Sequence, residues 1–473
     1  MPSPWPTLPP ASPPASAPAL SALPPAPPTA LAATPTLSPN GPAIYVATSD
    51  RPEGPFTAVP TPVIPQEQFA NGIWRDVIDS NIATEAGQRY ILYGSFNGGT
   101  QVRLLTDDGL STQPGSATQI SPSDRYEASY IVQHQGYYYL FLSAGTCCAG
   151  SGSGYGVFVA RAPHILGPYV DKDGVSLMDR NVGGTPVLLM NGNRWLGPGH
   201  NATFTDPNGQ DWMLYHAIDA AQPIFSSGWT RRPAMIDPIE WSDGWPTVRA
   251  GAGPSDQPEP APALAANVPL LSAAPASQES LGPLFPSYSS EFKAGRPGAQ
   301  WTWIHGLPTS IFGVQNGALL LPTQPGDLRD EQHDAPLLAE LAPPSDYIVE
   351  VKLNNNLPAV QQQSFIEGGL VIYQDDAHFL KLTLQSISGT MQLEFARPGS
   401  WGRAYLASAA PEVWLRIARH GSIYTPYSSH DGIQWTRGPS WTLTNNRPRI
   451  ALISAGGAGF VNRFEYVRVG ERQ

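Results

Sequence analysis

Three short segments hold the side chains that could do chemistry. Asp79 lies in Val77-Ile-Asp-Ser-Asn81, Glu127 in Tyr126-Glu-Ala-Ser-Tyr130, and His200 in Gly197-Pro-Gly-His-Asn201. Each sits beside a run of strand character, so acids far apart in sequence can meet if their strands surround a common axis. Cleavage of a glycosidic bond requires two carboxyl groups: one protonates the leaving oxygen and one acts from the opposite face. An inverting geometry leaves roughly 6.5–9.5 Å between them for a water. Glu127 stands between aromatic residues, where exclusion of water would raise its pKa and keep it protonated as a general acid. Asp79 could orient Glu127 and raise that pKa further by like-charge proximity. The small residues around His200 leave its ring open to a sugar or a cation. Each also has a plain structural reading: a rim glutamate, a turn aspartate bonded to backbone, a hydrogen-bonded core histidine. Asp237, in Met235-Ile-Asp-Pro238, is read as structural.

The elements that must position these groups are short strands. With 46 Gly and 52 Pro the chain is too heavily punctuated for long helices, so it reads as all-β. A turn-plus-strand unit recurs at Gly87-Gln-Arg-Tyr-Ile-Leu-Tyr93, Gly136-Tyr-Tyr-Tyr-Leu-Phe141 and Gly209-Gln-Asp-Trp-Met-Leu-Tyr215. Tyr90 and Tyr138 stand 48 residues apart. A second unit pairs Ile44–Ser49 and Gly54-Pro-Phe56 with Val157–Arg161 and Gly167-Pro-Tyr169. A period in the forties with several strands per repeat predicts propeller blades over residues 43–250. Ile44–Ser49 looks like the last portion of a blade, so the first blade is expected to be incomplete.

Residues 1–42 are rich in Pro and Ala and carry no charge, which predicts a stiff, disordered linker. They lack the basic start and unbroken apolar core of a signal peptide. A linker normally joins two things, so further sequence is expected upstream. Residues 251–281 read as a second such linker, and residues 282–473, with strands of alternating hydrophobicity, as a β-sandwich. No run is long enough to span a membrane. With 27 basic against 38 acidic residues the net charge is −11, and no basic patch alternates with aromatics, which argues against nucleic acid. A neutral polysaccharide fits better, since 13 Trp and 18 Tyr offer flat apolar faces to sugars. Cys147 and Cys148 are adjacent and cannot staple distant elements. Two free thiols lining a pocket are the expectation, with a vicinal disulfide as the alternative. No Ser/His/Asp elbow, phosphate loop or zinc-spaced Cys/His set is present.

In combination these segments resemble glycoside hydrolase family 43, within it the endo-1,5-α-L-arabinanase-like branch. The resemblance rests on Ile78-Asp79-Ser-Asn81 with Tyr93-Gly-Ser-Phe96, on Tyr126-Glu127-Ala128, and on Cys147-Cys148-Ala-Gly150 with Tyr155. Gly167–Gly174 and Gly197–Asn201 complete it, and it covers about residues 44–250. It implies a five-bladed β-propeller and an inverting mechanism with Glu127 as general acid and Asp79 as pKa modulator. It also implies a cleft lined by Phe96, Cys147, Cys148 and Tyr155, and His200 beside a central cation, usually calcium. The substrate implied is arabinan of the plant cell wall, and the protein an extracellular monomer. The later part resembles a concanavalin A-like jelly-roll sandwich. The sequence departs from the family at Asn97, where Trp is common, and at Ser80, which replaces Pro. The family's general base is an aspartate at the start of the first blade. Residues before Ile44 include no Asp or Glu, and Asp50 and Glu53 lie in the following turn, so the base is unassigned. The alternatives are a β-xylosidase or α-L-arabinofuranosidase of the same family, or a propeller that binds carbohydrate without cleaving it.

Overall fold

Strands and turns account for the fold: among the described residues there is no α-helix, only three 3-10 turns. The computed structural model describes residues 29–34, 42–179, 183–266, 279–293, 295, 297–307, 312–329, 332–355, 366–387, 390–398, 404–406, 412–444 and 447–473. The linker expectations for 1–28, 35–41 and 267–278 lie outside them.

Four antiparallel sheets follow one another up to Val248, where five blades are expected. The first holds β1 (Thr29–Thr34), β2 (Ala43–Thr48) and β3 (Thr57–Ala58). The second holds β4 (Asn81–Glu85), β5 (Gln88–Tyr93), β6 (Gln101–Leu104) and β7 (Thr118–Gln119). The third holds β8 (Tyr126–His134), β9 (Tyr137–Ala144), β10 (Gly156–Ala162) and β11 (Thr185–Leu188). The fourth holds β12 (Trp195–Thr205), β13 (Asp211–Asp219), β14 (Ala234–Ser242) and β15 (Trp245–Val248). The first sheet is one strand short of the others, in keeping with an incomplete first blade.

The glycine of the recurring sequence unit has a backbone cause. Ala86-Gly87 and Gln135-Gly136 both take positive φ, at 49° and 79° and at 47° and 82°. Two consecutive positive φ values make the two-residue hairpin turn whose twist matches its strands. Strand alternation then sorts the core. Tyr138, Leu140 and Leu142 of β9 pack toward the second sheet with Leu92 and Val102, while Tyr139 and Phe141 pack toward the fourth with Met213 and Tyr215.

Both linker assignments need correction in part. β1 falls inside the Pro/Ala-rich segment and pairs in register with β2, Thr29 opposite Thr48 through Thr34 opposite Ala43. Thr29–Thr34 is free of proline, so each of its N–H groups can join a ladder. Residues 252–266 are strapped to the fourth sheet rather than free. Ser255 N donates to Asp237 Oδ2 at 3.2 Å and Ala263 N to Asp206 Oδ2 at 2.9 Å.

From Leu281 onward a nine-stranded and a seven-stranded antiparallel sheet face each other. Their shared core includes Val349, Val351, Leu353, Leu370, Ile372, Leu382, Leu415 and Leu452. The other face of the seven-stranded sheet buries a polar pair, Lys381 Nζ at 2.6 Å from Glu367 Oε1, with Thr383 and Gln385 also donating to Glu367. Met190, from the fourth-sheet side of the chain, is buried in the sandwich core, and its carbonyl accepts from Ser440 N at 3.0 Å.

Candidate active site

All three candidate segments distort the sheets that carry them. Asp79 and His200 have φ of 57° and 52°, and Ala128, next to Glu127, has 53°. The β8–β9 register slips between Glu127 and Tyr130, and the β12–β13 register slips on both sides of Gly199. Bulges of this kind bend a strand and re-aim its side chains. Left-handed backbone at residues other than glycine is costly and concentrates at functional sites.

The distortions bring the three segments together. Asp79 Oδ2 accepts from Ala128 N at 3.2 Å, and Asp79 Oδ1 lies 3.9 Å from His200 Nε2. Glu127 Oε2 accepts from Ser95 Oγ at 3.0 Å. The His200 amide donates to Ser143 Oγ at 2.9 Å, fixing the bulge to β9. Burial pushes the Glu127 carboxyl above the usual range; the Tyr155 hydroxyl opposes the shift and the Asp79 charge adds to it. Asp79 is raised as well, first by burial, against the pull of His200 and the Ala128 amide.

Tyr155 is buried and stacks on His216, ring centroids 5.6 Å apart and 5° from parallel. Its hydroxyl lies near Glu127 and Ser143 without meeting hydrogen-bond geometry to either. Gly199 makes room for that ring: a Cβ there would come within 2.2 Å of Tyr155 Cδ1. Burial, helped by Arg232 and His200, lowers the His216 pKa to about 4, so the ring is neutral at neutral pH. A cavity of about 400 Å³ opens among Asp79, Tyr130, His200, Asn201, His216 and Arg232. Ala128 and Ser129, which follow Glu127, also line it.

His216 and Arg232 were not among the residues singled out from sequence. His216 ends the recurrent strand Trp212–His216, which was the available signal; Arg232 follows a turn and carried none. Phe96 is half-buried and is not among the cavity's lining residues. Its carbonyl accepts from Gly98 N at 3.0 Å and Asp124 N at 2.8 Å. Cys147 and Cys148 are joined as a vicinal disulfide, which corrects the expectation of free thiols. They sit in the loop between β9 and β10, just before the 3-10 turn Gly150–Gly152. Asp237 is fully buried and accepts from Tyr215 Oη at 2.6 Å, a structural role as expected.

The cation implied by the resemblance can be tested against the donors present. Calcium takes six to eight oxygen ligands. Among the described residues no three His, Cys, Asp or Glu side chains are grouped to hold a metal. His200 and Asp79, 3.9 Å apart on the cavity wall, are the side chains that would stand beside such a cation, with water supplying further ligands. Among the described residues Asp79 is the one carboxylate that lines the cavity; Glu127 stands behind Ala128 and Ser129, and Asp50 and Glu53 stay in the exposed turn after β2.

An all-β cleft in which a half-buried, hydrogen-bonded glutamate adjoins a second carboxylate has the parts of a glycosidase site. Residues 31–246 match the model of the glycosyl hydrolases family 43, and this segment is a domain of that family. The chain is 32% identical over 191 residues to the extracellular exo-α-(1→5)-L-arabinofuranosidase of Cellvibrio japonicus, covering 37% of this chain and 52% of that protein. It is 31% identical over 190 residues to the arabinan endo-1,5-α-L-arabinosidase A of Aspergillus aculeatus, covering 37% and 55%. The chain thus spans about half the length of the curated relatives it matches. Among solved structures, the α-L-arabinanase of Cellvibrio cellulosa is similar at 27% identity and a TM-score of 0.41, covering 46% of this chain and 72% of that one.

Proposed function

We propose that this chain acts on α-1,5-linked arabinan as an inverting glycosidase, with Glu127 as the general acid and Asp79 as the modulator of its pKa. The observation that carries the reading is the contact of Asp79 with the Ala128 amide, which sets a second carboxylate beside the half-buried Glu127. A carboxyl kept protonated toward neutral pH can deliver its proton to the departing sugar oxygen. The Ser95 hydroxyl then steadies the carboxylate left behind. Neutral His216 can both donate to and accept from sugar hydroxyls, and Arg232 can donate. Phe96, Tyr155 and the Cys147–Cys148 loop are assigned to the substrate cleft by the family resemblance. The arabinan-degrading names of both curated relatives support the substrate, and the extracellular one supports secretion. The sandwich is assigned the concanavalin A-like type.

A second reading is favoured by one observation: among the described residues no carboxylate besides Asp79 lines the cavity to activate water. On that reading the cleft binds arabinan without cutting it. Release of reducing sugar from linear arabinan, by the wild type and by Glu127→Gln, separates the two. Turnover that the substitution lowers by about 10²–10⁴-fold supports the glycosidase. Binding of arabino-oligosaccharides with no turnover by either protein supports the binding domain. Absence of both sinks the arabinan reading. Oligosaccharide products would mark internal cuts, and free arabinose cuts from chain ends.

A further inference from the structure

The connection from β13 to β14 carries an apolar display with no place in the core. Ile224 pairs with Thr230 as an isolated bridge, Phe225 N donates to the Trp229 carbonyl at 2.8 Å, and Gly228 N donates to the Phe225 carbonyl at 2.9 Å. The result is a small hairpin with Trp229 76% exposed, Phe225 50% and Ile224 46%. Large apolar groups gathered in water are disfavoured unless they meet something, and such patches mark binding surfaces.

The hairpin is fixed beside the cleft. Thr230 Oγ1 donates to the Cys148 carbonyl at 2.8 Å, and Ile224 lies over the turn at Gly150, where a Cβ would come within 3.0 Å of Ile224 Cδ1. Arg232 and Ala234, at the base of the same connection, line the cavity with His200 and His216. Trp229 is three residues from Arg232, a reach of roughly 10 Å in extended chain. The ring is therefore no more than that reach along the chain from the cavity wall and is not itself part of its lining.

We propose that Trp229 and Phe225 form a remote aromatic subsite for an uncharged saccharide chain leaving the cavity. A flat ring offers an apolar face to the C–H face of a sugar, and a hairpin held at its base keeps that face in place without closing the cleft. The occupant is a saccharide because the patch lies beside a cavity whose Asn201, His216 and Arg232 can hydrogen-bond sugar hydroxyls. The proposal rests on the saccharide reading of the cleft.

The test is calorimetric titration of the full chain, in a Glu127→Gln background to prevent turnover. The probes are α-1,5-linked arabino-oligosaccharides from the disaccharide to the octasaccharide. Affinity is expected to climb with length, and Trp229→Ala to weaken the longest ligands about fivefold to tenfold while the shortest bind unchanged. Trp229→Tyr should recover most of the loss. Binding of every length equally well to wild type and Trp229→Ala overturns the subsite and leaves the saccharide reading standing. Failure of every length to bind the parent overturns both. Self-association measured by light scattering that disappears in Trp229→Ala, with length dependence unchanged, assigns the patch to a second copy and overturns the subsite.

Discussion

Glu127 keeps its proton to higher pH than an exposed glutamate because burial disfavours the charged form, and the Asp79 charge adds to the shift. A general acid works while protonated, so the activity should decline as pH rises through this raised pKa. Replacing Asp79 by Asn removes one raising influence. The Glu127 titration, followed by carbon NMR of its carboxyl, should then move to lower pH; no movement would remove Asp79 as modulator. Glu340, in the strand Leu337–Leu341 of the sandwich, presents the same physics. Its carboxyl is buried, neither oxygen has a hydrogen-bond partner among the described residues, and burial alone pushes its pKa up to about 8. A carboxyl whose pKa is higher folded than unfolded binds more protons in the folded state between the two values. Its contribution is therefore favourable below about pH 4.5 and is lost as pH rises toward 8. The loss is on the order of 5 kcal/mol. Glu340→Gln should flatten the fall of the thermal midpoint between pH 5 and 8, and equal slopes in both proteins would refute this.

Elements explain what the sequence made visible and what it hid. The hairpin glycines, Gly87 and Gly136, mark local turns, and they made the repeat and the all-β class readable without a structure. Glu127, Asp79 and His200 were readable for the same reason: each lies in a segment whose local pattern is distinctive. The strand at Thr29–Thr34 was hidden because its pairing depends on β2 and its composition is that of a linker. His216 and Arg232 were hidden because their roles come from the packing of three sheets. The thiols of Cys147 and Cys148 were misjudged because bonding between neighbours is decided by the turn they occupy. Two predictions follow from these elements. A disulfide between adjacent residues closes no loop of chain, so the entropic stabilisation of a cross-link is absent. Reduction should leave the thermal midpoint within about 1 °C, and a large drop would give the bond a stabilising role after all. Gly199→Ala should be felt strongly, since the added Cβ meets the Tyr155 ring at 2.2 Å. Overpacking of this kind costs about 1–3 kcal/mol. Chemical denaturation should show that loss, and an unchanged midpoint would mean that Tyr155 is free to move.

On the scale of the whole molecule, the two halves are joined by more than the chain between them. Met190 is fully buried in the sandwich core, its carbonyl accepts from Ser440 N, and Asn191 bridges Ser440 in parallel register. Gly192 passes so close to the sandwich that a Cβ would lie 2.6 Å from Ile423 Cγ2. The Arg397 guanidinium stacks 4.2 Å over Trp441 and donates to the carbonyl of Ser151, in the loop after the disulfide. A sandwich gripped in this way supports the wall of the cleft, and the two cores should unfold together. Met190→Ala removes the apolar peg while leaving both backbones intact. Truncating a buried Met costs about 2–5 kcal/mol, and here the cost falls on the junction. Scanning calorimetry of the wild type should give one dominant transition. In Met190→Ala that transition should move down and split, because each core then melts at its own temperature. A single transition at the wild-type temperature would mean that Met190 adds nothing to the coupling, and that the contacts at Asn191, Gly192 and Arg397 carry it.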